Sequence, residues 1–546
     1  MNRLTQLALS LLTFGYVQPH NPVIPEQALL AESARNATKR IAIVGAGTAG
    51  ISTLKTLLVD LPEEARRDWE VVLFEQRRDV GGIWLPDPNP PRPPVLPETP
   101  LYPRLKTNTP HPTMTIPKFT FRPGTALYPQ HQPVYEYHAD IVNHWNLSSH
   151  LKLNHEVLES KWKGSSTAGE WILQVKDRDQ DVVRDFTFDH LIIANGHNHY
   201  PYEPKLEGRK RWEQSGVNRT VFHSIFYRNP EDYRGKNVVV VGGGASGRDV
   251  AQQVVGIANS TYVSLKAQNY TNLPFPDIPG AQYKPRIQHF TEHAVVFEDN
   301  STLDHIDTVI LGTGYEYRIP FLTAGGHLDI NPGQPVPLPQ DPESTHLNTN
   351  LRYIRPVYQH VLSLDTSYPL GSLYFIGLPI FVANAISDTA QALFAAHTLA
   401  DPSLLESRDT LLADLHAQEA RLRAAGLDPA YIGHRLVGDI GAAQYQDGLV
   451  AYLQARGRGG WPNIPALGQR FTDEWRTFGR NETLFLKKAW TRVEEYGQES
   501  VDKWLEGVET EEEWADLMVR LVKWEERKET EDGLFTAGEY RGPDWS

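Results

Sequence analysis

The sequence predicts an α/β protein in which one strand–helix unit is interrupted by a second of the same kind and followed by a helical extension. Two glycine-rich stretches carry this expectation, IAIVGAGTAG at residues 41–50 and its near-copy VVVVGGGASG at 238–247. Each is an apolar run, as buried parallel strands are, then a G-x-G-x-x-G turn, then a run that opens a helix. A third observation is a change of character beyond about residue 400, where strand patterns give way to apolar residues at helical spacing. The fold class is therefore two Rossmann-like dinucleotide-binding domains, the second inserted in the first, plus a C-terminal helical extension.

The first strand reads KRIAIV up to Gly45, and ISTLKTLLVDL follows the glycine turn as a helix. A second strand, WEVVLFE at 69–75, comes after the charged loop PEEARRD. Residues 86–103 hold nine prolines in eighteen positions. Proline donates no ladder hydrogen bond, so this segment reads as an extended surface loop and not as a central strand. DHLIIANG at 189–196 closes the first part, and the pattern repeats as the strand KNVVVV, the helix ASGRDVAQQVVGIA and the strand TYVSLK. DTVILGTGY (307–315) and SLYFIGLP (372–379) read as strands returning to the first sheet. DTLLADLHAQEARLRAAG is a helix ending at Gly426, and ESVDKWLEGVETEEEWADLMVRLVKWEERK is a long amphipathic region with Trp504, Trp514 and Trp524 among its apolar positions. Its expected role is a helical cap packed on the core. The expected organisation is a leader over 1–38, a first domain over 39–204 and 305–400, a second over 205–304, and the helical extension over 401–546.

Composition narrows the function classes. A net charge of −14 speaks against nucleic acid, whose binders need a basic surface to release counterions from phosphates. Cysteine is absent, which excludes disulfide frameworks, Cys-based zinc sites, thiol nucleophiles and dithiol redox centres. No His/Asp/Glu pattern has metal-ligand spacing, so no metal is expected. At the N-terminus Arg3 precedes the apolar run LALSLLTFGYV, Leu7 to Val17. This has the length of a signal-peptide core and falls short of the roughly 20 residues that span a bilayer. Glycosylation sequons begin at Asn36, Asn146, Asn218, Asn259, Asn269, Asn300 and Asn481. Leader and sequons together point to the secretory pathway lumen or secretion, with the cytoplasm as the alternative. No membrane anchor is expected after the closing RGPDWS, and a homodimer is compatible with everything so far.

The glycine turns define the candidate site. A G-x-G-x-x-G turn lets the backbone approach a pyrophosphate and aims a helix N-terminus at it. Gly45, Ala46, Gly47, Thr48, Ala49 and Gly50 form the first such turn; Gly242, Gly244, Ser246 and Gly247 belong to the second. The second strand of the first unit ends at Glu75, a carboxylate suited to ribose hydroxyls. The corresponding residue of the second unit is Lys266, a cation suited to a 2′-phosphate. The first site thus suits FAD and the second NADPH, one delivering hydride to the other. With no sulfur relay, the electrons have oxygen, a quinone or another protein as acceptor.

Further motifs make the reading specific. GGIW (81–84), LYPRLKTNTP (101–110), HSIFY (223–227), GGGASGRDVA, VILGTGYEYRIPFL, LYFIGLP and Gln391 occur in this order. Over roughly residues 39–400 the chain resembles the flavin-containing monooxygenases, of the N- or S-oxygenating type. The resemblance implies FAD contacts from Gly45 to Gly50, Glu75, Ile83 and Trp84. It implies that Thr107 and Asn108 lie where flavin and nicotinamide meet, and that Ser246, Gly247, Arg248 and Asp249 line the NADPH site. Asn108 is the expected catalytic residue, a polar contact to the oxygenated flavin. The implied chemistry transfers one atom of O2, by way of a C4a-hydroperoxyflavin, to nitrogen, sulfur or carbon of a small molecule. In the fingerprint F-x-G-x-x-x-H-x-x-x-Y/F, His223 and Tyr227 match, while Val217 and Arg219 stand where Phe and Gly are expected. Tyr227 in place of Trp favours the N- or S-oxygenating relatives over Baeyer–Villiger ketone oxygenation. An NADPH oxidase or quinone reductase on the same fold is the other alternative.

Overall fold

The computed structural model describes residues 37–216, 218–266, 277–331, 345–437 and 441–531. The leader run, Asn36, Asn269 and the fingerprint residue Val217 lie outside the described residues.

In chain order, the elements that build the site begin with β1 (Lys39–Val44), α1 (Thr48–Lys55), β2 (Trp69–Phe74), α2 (His131–His144) and β3 (His190–Ile193). The second unit supplies β4 (Asn237–Val241), α3 (Ala245–Val254), β5 (Ser260–Ser264) and β6 (Thr308–Leu311). β7 (Leu373–Phe375) and α4 (Asn384–Ala400) follow. The extension holds α5 (Arg408–Ala424), α6 (Ala442–Leu453), α7 (Glu474–Asn481), α8 (Thr483–Glu495), α9 (Gln498–Leu505) and α10 (Glu511–Glu531).

β1 lies at the heart of the first sheet, parallel to β2 on one side and to β3 on the other. Ile41, Ala42 and Ile43 are fully buried, which is why this stretch is apolar without alternation. β7 continues the sheet beyond β3, and a hairpin of Val357–Tyr358 and Leu362–Ser363 closes that edge. In the second sheet β4 is likewise central, flanked by parallel β5 and β6.

The strand within DTVILGTGY corrects the sequence reading. β6 does not return to the first sheet; it pairs with β4 and, on its other side, with Thr220–His223. The reason is locality. β6 follows directly from a small antiparallel sheet of the second unit, 287–303, and its four side chains are all buried there. The crossing comes only after Gly314, where Tyr315–Glu316 pairs antiparallel with Tyr200–Pro201, the outgoing connection. Two crossing strands thus brace one another. β7 does rejoin the first sheet as expected.

One element escaped the sequence reading. His155–Gly164, Gly169–Asp177 and Val182–Phe188 form an antiparallel sheet, and Phe74 of β2 meets Phe186 and Phe188 edge-on at 5.4 and 5.8 Å. The alternation in EWILQV was its signal. The proline-rich segment has neither helix nor strand, yet it is fastened at both ends. Arg77 donates to the carbonyls of Gly82, Leu85 and Pro86 and to Glu98, while Arg228 reaches Asp87 and the Thr99 carbonyl.

The long amphipathic region near the C-terminus is two helices, α9 and α10, with Gly507 at φ +71° between them. With α8 they bury Trp490, Trp514, Met518 and Leu521 against Leu127 and Tyr128 of the first domain. Among the described residues no helix is long and apolar enough to cross a membrane.

Candidate functional site

The first glycine turn is shaped by what its glycines touch. A Cβ on Gly45, at φ +107°, would lie 2.5 Å from the Ala194 carbonyl oxygen, and one on Gly50 only 1.8 Å from that of Gly45. Both positions are closed to any other residue by the protein's own packing. Gly47 differs. It has an ordinary φ of −76° and a Cβ there would find only Gly82 Cα at 3.6 Å. The packing of the fold does not require glycine at this position, and its absence of a side chain leaves the backbone open to close approach.

The second turn repeats the logic. A Cβ on Gly242 would lie 2.4 Å from the Gly312 carbonyl oxygen and one on Gly247 2.1 Å from that of Gly242, whereas a Cβ on Gly244 meets nothing within 4 Å. Gly244 is the N-cap of α3, at φ −73°. The middle glycine of each turn therefore has room for a side chain at a helix N-terminus, with one ordinary contact at Gly47 and none at Gly244. A helix N-terminus left open in this way is an arrangement that can receive a phosphate.

Glu75, one residue past β2, is buried, and its carboxylate accepts the backbone N–H of Ala46 at 2.7 Å and of Arg77 at 2.9 Å. Burial raises its carboxyl, and the two N–H groups and the Arg77 charge act in the opposite sense. It ties the glycine turn to the end of β2 and retains lone pairs for a ribose. Thr48, the first residue of α1, hydrogen-bonds His138 of α2 at 2.9 Å, while the other ring nitrogen of His138 lies 2.7 Å from the Val134 carbonyl. A carbonyl only accepts, so Nδ1 carries the proton and Nε2 accepts from the Thr48 hydroxyl. Burial lowers this imidazole to about 4, which keeps it neutral. Ile83 and Trp84 form a short helical turn after Gly81–Gly82, with Trp84 half-buried against the first core.

Lys266 is exposed just past β5, where its charge is shared with Tyr431, to whose hydroxyl it donates at 2.7 Å. That hydrogen bond lowers the Tyr431 phenol. Ser246 and Arg248 are half-buried on the first turn of α3. Asp249 is turned inward: Tyr102 and Gln253 both donate to its carboxylate. His223 and Tyr227, the two fingerprint matches, are fully buried. His223 accepts the Ile225 N–H and donates to the Gly314 carbonyl, pinning the crossing between the two sheets.

Thr107 and Asn108 lie on a segment that pairs back on residues 127–130 and leads into α2. The Thr107 hydroxyl is buried without a hydrogen-bond partner among the described residues. Asn108 is exposed; its carbonyl accepts the Thr483 hydroxyl of α8 at 3.2 Å.

Sequence reasoning missed the start of α4. Asp388 is 3 % exposed, and its carboxyl makes no hydrogen bond or ion pair with another described residue. Burial alone raises its carboxyl to about 8. A Cβ on the neighbouring Gly377 would lie 3.6 Å from Asp388 Oδ1 and 3.1 Å from Ala49 Cβ, so this acid stands beside the first glycine turn. The Ser387 hydroxyl next to it is also buried and unpartnered. The signal was available: Ser-Asp-Thr falls within the first two turns of a helix rich in Ala and Leu. Polar groups without protein partners around an open glycine turn fit a polyhydroxylated, phosphate-bearing ligand. Among the described residues no cluster of His, Asp and Glu could hold a metal ion.

Comparison with known proteins agrees with this geometry. The family described as flavin-binding monooxygenase-like matches residues 38–271 and 269–327. Flavin-containing monooxygenase FMO GS-OX3 of Arabidopsis thaliana is 24 % identical over 461 residues, covering 80 % of this chain and 91 % of that protein. FMO GS-OX-like 2 of the same plant is 27 % identical over 418 residues, covering 72 % and 81 %. Among solved structures, S-allyl-L-cysteine S-oxygenase from Allium sativum aligns with a TM-score of 0.65 at 21 % identity, covering 90 % of this chain and 99 % of that one. Tmm from a Pelagibacter species aligns at 0.60 and 22 % identity, covering 83 % and 91 %. With two open glycine turns in one fold and a family match over more than half its length, the chain belongs to the flavin-binding monooxygenase-like family and is a flavin-dependent monooxygenase.

Proposed function

We propose that the chain binds FAD at the first glycine turn and NADPH at the second, and transfers one atom of O2 to a nitrogen, sulfur or carbon centre of a small molecule. The balance is substrate, O2, NADPH and a proton to oxygenated substrate, NADP+ and water. Tyr227 in the fingerprint favours nitrogen and sulfur. The flavin, when bound, supplies the electron storage and the activation of dioxygen. The residues of the chain do the rest. Gly47 and the N-terminus of α1 receive one pyrophosphate, with Glu75 accepting from a ribose; Gly244, Ser246 and the N-terminus of α3 receive the other. Lys266 exchanges its Tyr431 partner for the 2′-phosphate. Asp388, neutral at pH 7, is a hydrogen-bond donor, and Thr107 and Asn108 offer polar contacts where the two ligands meet. Helix α8 holds the Asn108 segment through the Thr483 hydroxyl.

The observation that carries this reading is the pair of middle glycines, open where the fold gives no reason for glycine. Gly47→Ala is expected to fold normally and lose FAD. Gly244→Ala is expected to keep FAD and raise the KM for NADPH at least tenfold. Flavin content of the purified protein and anaerobic flavin reduction by NADPH read the two effects separately. Retention of both functions in both variants defeats the proposal. Turnover under 18O2 that leaves the product unlabelled defeats oxygen transfer.

Entry into the secretory pathway is part of the same proposal. It is supported by the leader run and by the five sequon asparagines within the described residues, Asn146, Asn218, Asn259, Asn300 and Asn481, all exposed. Insensitivity of the natural protein to endoglycosidase would count against it and for the cytoplasm.

A further inference from the structure

We infer that Arg480 receives an acidic group of the substrate, so that the molecule oxygenated is a soft nucleophile, a thioether or an amine, that also carries a carboxylate. This inference rests on the proposed function and names the substrate class of the same site.

Placement comes first. α8 touches the Thr107–Asn108 segment through Thr483, whose hydroxyl donates to the Asn108 carbonyl and whose own carbonyl accepts the Tyr128 hydroxyl at 2.6 Å. Arg480 stands on the last turn of α7, just before Thr483, and its guanidinium meets the backbone carbonyl of Phe381. Phe381 precedes α4, the helix that carries Asp388 to the first glycine turn. On the far side of Thr483, Lys487 lies 6.0 Å from the Tyr128 ring, with Asp249, Lys106 and Arg248 as its charged neighbours. The α7–α8 corner therefore spans the mouth from one dinucleotide turn to the other. Arg480 stands at the first-turn end and Lys487 at the second.

Within the α7–α8 corner, charge balance then singles out Arg480. Of the other arginines on these two helices, Arg476 pairs with Asp473 and Glu511 and Arg492 with Glu525. Elsewhere in the extension Arg456 pairs with Glu406 and Arg458 with Asp401, while Arg408 and Arg435, which have no carboxylate partner among the described residues, donate to the carbonyls of Tyr368 and of Tyr431 and Ile432. Arg480 has no carboxylate partner among the described residues, and burial alone pushes its guanidinium down to about 10. A withdrawn cation without a counter-charge is costly unless a ligand supplies one. A guanidinium matches a carboxylate with two parallel hydrogen bonds. Beside it Phe381, held at φ +67°, is 60 % exposed and offers an apolar face for the rest of the molecule. Phosphates of the second dinucleotide are served at the other end of the corner, near Arg248 and Lys487.

The test compares a thioether carboxylic acid with its methyl ester, using the full chain loaded with FAD. The wild type is expected to use the acid at least tenfold better in kcat/KM. Arg480→Met is expected to remove that preference by raising KM for the acid, leaving KM for the ester and the anaerobic rate of flavin reduction by NADPH unchanged. Arg480→Lys, which keeps the charge without the fork, is expected to fall between. Acid and ester used equally by the wild type, or lost equally in Arg480→Met while the flavin is still reduced, overturns the inference and leaves the proposed function standing. A chain that binds no flavin, or a flavin that NADPH does not reduce, overturns both.

Discussion

Glu75 and Asp388 are carboxyls withdrawn from water beside the same glycine turn, and they meet burial in opposite ways. Glu75 accepts two backbone N–H groups and has Arg77 nearby. Asp388 has neither, and its carboxyl is raised from 3.8 to about 8. The folded protein thus holds a proton that the unfolded chain releases from about pH 4 upward. The contribution to stability falls as pH rises through that window and levels off above about 8. Each tenfold change in proton affinity corresponds to about 1.4 kcal/mol. Asp388→Asn is expected to be more stable than the wild type at pH 8 and to lose that advantage by pH 5, as measured by denaturant midpoints. An advantage of equal size at both pH values would mean that Asp388 is charged in the fold. From the sequence Glu75 was legible because it ends a strand after a glycine turn. Asp388 was not, because its partnerless setting arises from α4 packing on α1, which no local pattern records.

At the level of elements, the extension is a wall of the site and not an independent cap. Trp514 of α10 is 1 % exposed, with its ring centroid 4.4 Å from that of His111, four residues from Thr107. Its burial joins the last helix to the segment that carries Asn108. Trp514→Ala is expected to cost about 3–5 kcal/mol in chemical denaturation, the range for truncating a large buried aromatic. It should also raise the rate at which NADPH is oxidised without product, since the wall over the cleft loosens. A loss below about 1 kcal/mol with coupling intact would show that α10 is dispensable to both. Sequence periodicity located these helices and their tryptophans. It did not show that Trp514 faces the core while Trp504 and Trp524 stay on the rim, since three tryptophans ten residues apart look alike in a pattern.

Across the whole molecule, burial of histidine dominates the response to acid. His111 is lowered to about 3, His138, His190, His197, His223, His360 and His397 to about 4, and His434 well below its ordinary value, each chiefly by loss of water. Here the unfolded chain takes up protons first, near pH 6.5, so stability is lost as pH falls from there toward 4. Carboxyls raised by burial, Asp388 and Glu75 among them, work in the opposite direction. The thermal midpoint is therefore expected to be lower at pH 5.5 than at pH 7.5, by scanning calorimetry of the flavin-loaded protein. A midpoint that is unchanged or higher at pH 5.5 would require counter-charges for these rings. His360 and His434 meet with their Nδ1 atoms 2.9 Å apart, so that pair has no room for two positive charges.

What the order of residues settled was the doubled strand–turn–helix device. Backbone geometry at a glycine turn depends on neighbours within a few positions, and a carboxylate or a cation after the second strand can be read from the same window. The folded chain alone assigned β6 to the second sheet, stood Asp388 beside Gly377 and Ala49, set Arg480 on the Phe381 carbonyl and brought Thr483 to Asn108. Those relations join residues separated by tens to hundreds of positions. They come from which buried faces pair and which charges are left without partners, quantities that exist only after packing.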